Sequence, residues 1–166
     1  MTGLDSTAKA DRCGHHGGPA DPTEREQDMF EARDLPEHAD AVAPDGSAVR
    51  VLLGLRGGGL AHFQLEPGET SVAVRHRTVE EIWYFTAGRG QMWRDDGEVA
   101  ETVDARPGTC ITIPVGTRFQ FRAEGPEPLA AIGVTMPPWP GDGEAVRADG
   151  PWPPTVPPGP GLDEPD

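Results

Sequence analysis

Few side chains in this 166-residue chain are equipped for acid/base, metal or nucleophile chemistry: five histidines, two cysteines and the carboxylates near them. Cys13-Gly14-His15-His16 places a thiol and two imidazoles together. Their setting, a Gly/Ala/Asp-rich stretch without periodicity, makes adventitious metal affinity the plainer reading. His76 is followed by the doublet Glu80-Glu81. A carboxylate beside an imidazole orients the ring and raises its basicity, and burial tunes both groups, so such a pair serves acid/base chemistry. The same pair can also be purely structural or contribute to a metal site. Cys110 lies in the apolar run Thr109–Ile113 and reads as a small core hydrophobe, not a nucleophile.

These residues must be positioned by strands. From Val49 onward short apolar segments alternate with Gly or Pro breaks: Val49–Leu55, Leu60–Leu65, Thr70–Thr78, Glu81–Thr86, Gln91–Arg94, Val99–Ala105, Thr109–Ile113, Arg118–Arg122 and Leu129–Thr135. Asp95-Asp96-Gly97 is a hairpin signal. No helical period interrupts the series, which predicts an all-β barrel or sandwich. Residues 1–28 read as a disordered tail, 29–140 as the barrel and 141–166 as a Pro-rich acidic tail. That tail should run extended and lack sheet donors, with Trp139 and Trp152 pinning it to the barrel.

Gly68 to Phe121 resembles the cupins. Their first motif runs Gly, five residues, His-x-His, three or four residues, Glu, six residues, Gly. Here Gly68, Val74-Arg75-His76, Glu81 and Gly88 keep every spacing, with Val74 in the first His position. The second motif runs Gly, five residues, Pro-x-Gly, two residues, His. Here Gly108 leads to Pro114-Val115-Gly116, with Phe119 in the His position and Ala123 where an Asn often follows. The resemblance implies a double-stranded β-helix (jelly-roll) barrel, commonly a homodimer, with a degenerate metal site. It implies no single reaction.

In the cupin frame three imidazoles and a carboxylate converge on a divalent metal. Val74 and Phe119 cannot coordinate one, so either no cofactor is held or a metal ion is held by His76 and Glu81 with a recruit such as His62; Glu80, Gln64 and Gln91 are further candidates. Strand alternation puts Val74 and His76 on one face, Glu81, Trp83 and Phe85 on one face, and Phe119 and Phe121 on one face. With Gln91 and Trp93 these are the expected substrate-contacting residues, and His76 and Glu81 the expected catalytic pair. Arg75, Arg77, Arg118 and Arg122 are expected outside.

The expected function is binding of a small organic molecule in an aromatic-lined barrel, with metal-free isomerisation, dehydration or cyclisation as its chemistry. A metal-dependent isomerase or dioxygenase with unusual ligands, and a non-catalytic binding module, are the alternatives. The formal charge of −14 argues against nucleic acid and anionic membranes as partners. Part of it is tail, where Asp142, Glu144, Asp149, Asp163, Glu164 and Asp166 face Arg147 alone. No apolar run approaches the roughly 20 residues of a membrane span, no leader is visible, and the cytoplasm is the expected compartment.

Overall fold

The computed structural model describes residues 30–165. The Cys13, His15 and His16 cluster and the expected tail 1–28 lie outside the described residues.

Eleven strands form among the described residues: β1 Ala41–Val42, β2 Ala48–Leu55, β3 Gly58–Leu65, β4 Val74–His76, β5 Glu80–Ala87, β6 Gly90–Asp95, β7 Ala100–Ala105, β8 Cys110–Ile113, β9 Arg118–Ala123, β10 Leu129–Met136 and β11 Ala145–Arg147. They make two antiparallel sheets, ordered β1-β2-β3-β10-β5-β8 and β11-β4-β9-β6-β7. Asp95 pairs with Ala100 across the β6–β7 hairpin, and Gly97 has φ +96, as the Asp-Asp-Gly signal requires. The expected strand over Thr70–Thr78 shortens to three residues. Before it the chain forms bridges and loop contacts instead: Ser71 N–H donates to Phe121 O and Val72 N–H to Asp45 O.

The core lies between the sheets because each contributing strand alternates. Along β5, Glu81, Trp83 and Phe85 are buried while Glu80, Ile82 and Tyr84 are exposed. Phe119 and Phe121 of β9 meet them from the opposite sheet. Gln120 between those two is also buried, because residues around Trp152 cover the outer face of β9. Its amide donates to Ser71 O and Trp152 O, both at 2.8 Å, and accepts from Trp152 N–H.

The segment after Pro140 differs from its expected form in one respect. It does supply sheet donors, through the proline-free stretch 141–149. Ala145 pairs with His76 and Arg147 with Val74, so β11 extends the second sheet beside the site. Trp152 does pin the segment, with the Arg122 guanidinium 4.4 Å above its ring. Cys110 is a correction: it is exposed, because β8 turns Ile111 and Ile113 inward.

Candidate functional site

One end of the barrel is hollow. A cavity of about 470 Å³ lies between the sheets, with walls that include Val49, Ala61, Phe63, Val74, Trp83 and Phe119. Its mouth is made by Ala41–Asp45 on one side and Trp139, Asp142 and Pro160-Gly161 on the other. His76 and Glu81 form its polar corner, 5% and 3% exposed.

Strand register builds that corner. Glu81 lies between Thr135 of β10 and Ile113 of β8. Val74 pairs with Phe119, which fixes His76 two residues on with its ring edge-on to Phe119 at 5.2 Å. Trp139 closes on the His76 ring from the mouth, at 5.1 Å. Trp83 stacks on Phe63 at 4.6 Å and 12°. Gly133, opposite Trp83, makes room for this stack: a Cβ there would come within 2.7 Å of Phe63 and 3.0 Å of Trp83 Nε1. So held, the indole N–H donates to Glu81 Oε2 at 2.9 Å.

The pair differs from its sequence expectation in charge and contact. His76 Nδ1 is 3.9 Å from Glu81 Oε2, beyond hydrogen-bond reach, and has no partner although buried. Burial pushes the His76 pKa down to about 4, against the opposing pull of Glu144's charge. Burial pushes Glu81 up to about 8; the Trp83 hydrogen bond opposes this and the charge of Asp45 adds to it. Near neutrality the corner therefore holds a neutral imidazole and a protonated carboxyl, not an ion pair. Glu81 does not orient His76 through a hydrogen bond.

Two more carboxyls shape the field. Asp45 lines the cavity, and burial raises its pKa although Ser47 N–H and Oγ donate to it at 2.9 and 2.7 Å. Burial also acts on Glu144, but three hydrogen bonds from Thr78 N–H, Thr78 Oγ1 and Val79 N–H outweigh it and keep that carboxylate ionised.

Of the expected contact residues, Val74, Trp83 and Phe119 line the cavity. Phe85 and Phe121 lie deeper, in the packed core. Gln91 and Trp93 do not reach the cavity: β6 turns Gly90 and Met92 inward, and Gln91 instead accepts from Arg122 at 2.6 Å. His62 is also a correction. Gly59, Leu60, Ala61 and Phe63 of β3 line the cavity, whereas His62 and Gln64 do not and lie beside Arg50. Arg118 pairs with Asp95 and Arg122 with Glu124, away from the cavity.

The donor set does not fit a metal of the cupin kind. Val74 and Phe119 occupy two of the expected ligand positions, and His62 cannot replace them from its face of β3. Among the described residues no three His, Cys, Asp or Glu side chains converge as a metal site would need. Sequence reasoning missed Asp45, Phe63 and Trp139 in the site. Alternation back from the core residue Leu65 signals Phe63; nothing local signals the other two.

Two antiparallel sheets closed on a shared core, hollow at one end, define a jelly-roll barrel. The cupin domain family model matches residues 61–135. An uncharacterised protein of Methanocaldococcus jannaschii is 31% identical over 104 residues, 59% of this chain and 79% of that protein. The chain belongs to the cupin superfamily. Among solved structures, a double-stranded β-helix protein from Klebsiella pneumoniae aligns with TM-score 0.51 at 17% identity, over 64% of this chain and 91% of that one. The capsular polysaccharide assembling protein CapF of Staphylococcus aureus aligns with TM-score 0.53 at 16% identity, over 63% of this chain and 31% of CapF. The chain thus spans about a third of CapF, and these likenesses show the fold. Among the described residues no helix is long and apolar enough to cross a membrane.

Proposed function

We propose that the barrel binds a small, mostly apolar organic molecule, and that His76 and Glu81 act on its polar group as a metal-free base and acid. The observation that carries this reading is the unpartnered, buried His76 Nδ1 at the polar corner of a mostly apolar cavity. An unsatisfied buried polar atom costs about 1–3 kcal/mol, a cost that a ligand group can relieve. The volume suits an organic molecule of modest size, and an apolar wall with a few polar anchors is the usual composition of such sites.

The chemistry follows from the protonation states. Neutral His76 takes a proton from the ligand, and protonated Glu81 gives one to a neighbouring atom. Isomerisation, dehydration and cyclisation each need such a transfer. The protein is further proposed to work as a cytoplasmic homodimer and without a nucleic-acid partner; its net charge of −14 supports the last of these.

The test is titration with N-phenyl-1-naphthylamine, a non-basic apolar fluorophore, against the wild type and Ala61→Trp, which fills the cavity from β3. Saturable micromolar binding, weakened at least tenfold in the variant, is expected. No binding, or equal binding by both proteins, overturns the reading.

A further inference from the structure

The charge of the cavity narrows the class of its occupant. Its lining contains three carboxyl side chains, Asp45, Glu81 and Asp142, and no lysine or arginine. Asp142 is exposed at the mouth, Asp45 is buried at the mouth's inner edge and Glu81 is buried inside. Arg50 on the flanking strand β2 is committed elsewhere: its guanidinium donates to Pro36 O and Glu37 O at 2.8 and 2.9 Å. A ligand carboxylate or phosphate would therefore meet carboxyl groups and no lysine or arginine to balance its charge.

A ligand cation meets the opposite situation. His76 Nδ1 and Glu81 Oε2 are 3.9 Å apart, and no lysine or arginine joins them in the cavity lining. Nδ1 presents almost no surface to the cavity, so a small turn of the His76 ring is needed to admit a ligand; a nitrogen about 2.9 Å from each atom, a normal hydrogen-bond length, then spans the gap with two of its N–H groups. Oε2 keeps its bond from the Trp83 indole, so the second lone pair takes the ligand. Trp83, Phe119 and Trp139 surround the corner with ring surface, which favours a cation over water.

We propose that the occupant is an amine: a basic nitrogen on an apolar body, bound as an ammonium between His76 and Glu81 and facing Asp45. A ligand entering as free amine takes its proton from the Glu81 carboxyl, leaving carboxylate and ammonium as a buried pair. No other reactant is needed. The inference rests on the binding half of the proposed function and adds the class of ligand.

Calorimetric titration of the full chain with 4-phenylbutylamine, 4-phenylbutanol and 4-phenylbutanoate tests it, because the three share one apolar body. The amine is expected to bind at least tenfold more tightly than the alcohol, and the carboxylate not at all. Glu81→Gln is expected to erase the difference between amine and alcohol. If the alcohol matches the amine, or the carboxylate binds best, the amine assignment is overturned while the apolar cavity reading stands. If none of the three binds and N-phenyl-1-naphthylamine also fails, both are overturned. The wild-type ranking alone decides the matter should the variant not fold.

Discussion

The two ends of this barrel are built from the same strands and behave differently. At one end Phe85, Phe121, Met92, Leu65 and Leu129 fill the space between the sheets, all below 2% exposure and all apolar. At the other, strands β4, β5 and β9 carry Val74, His76, Glu81 and Phe119 to the wall of a cavity. Trp83 divides them: its ring meets Phe121 at 5.1 Å on the packed side, and its N–H reaches Glu81 on the hollow side. The difference teaches that stability and polarity are kept apart. The packed end supplies apolar burial, and the hollow end tolerates two neutralised titratable groups because the packed end does not depend on them.

The sharpest way to break this comparison is truncation at each end. Phe121→Ala opens a cavity in a close-packed region and is expected to cost about 3–5 kcal/mol. Trp139→Ala at the mouth, where the ring is 38% exposed, is expected to cost far less. Urea unfolding measures both, and equal costs would mean the mouth is part of the structural core.

A smaller effect tests the charge state of the hollow end. Glu81 has a folded pKa of about 8 against 4.5, so the folded protein holds a proton that the unfolded chain has lost. Its stabilising contribution is present below pH 4.5 and disappears as the pH rises through 8. His76, lowered from 6.5 to about 4, acts in the opposite sense: its contribution is present above pH 6.5 and disappears as the pH falls through 4. The two slopes oppose each other between about pH 4.5 and 6.5 and leave Glu81 alone above that. Wild type is thus expected to lose about 1–2 kcal/mol from this group between pH 6.5 and 8, at a limit of about 1.4 kcal/mol per pH unit. Glu81→Gln should show no such loss in melting temperature over that range.

The smallest effect concerns the imidazole. His76→Leu replaces a neutral, unpartnered ring with an apolar side chain of similar volume. Ligand-free stability is expected to stay level or rise by about 1 kcal/mol, because an unsatisfied buried atom is removed. A loss above about 2 kcal/mol in denaturant unfolding would mean that Nδ1 is satisfied in solution.

Much of this was legible in the sequence where alternation had firm anchors. The motif spacing placed Val74, His76, Glu81 and Phe119 on inward faces, and the structure puts all four on the cavity wall. Where both faces of a strand are partly covered, alternation lost its direction. The outer face of β3 is covered at His62 by Arg50, so a histidine on either face would look buried. On β6 the inward positions are Gly90 and Met92; Gly90, packed so tightly that a Cβ would meet Arg122 O, carries no side chain to mark the face, which left Met92 alone to oppose Trp93. Asp45 and Trp139 were out of reach for a different reason. They lie about 30 residues before and 60 after His76, joined to it only by tertiary packing.

The mouth has a consequence for how such a protein can diverge. The matched family region, residues 61–135, carries His76 and Glu81, whereas Ala41–Asp45, Trp139 and Pro160-Gly161 lie outside it. Gly159 fastens these two outer segments together, its N–H on Pro44 O and its Cα so close to Ala43 that a Cβ would meet the carbonyl oxygen. The doorway is thus written in a different part of the chain from the room behind it. Substitutions in those segments can recut the entrance for a new guest while the polar corner is inherited unchanged.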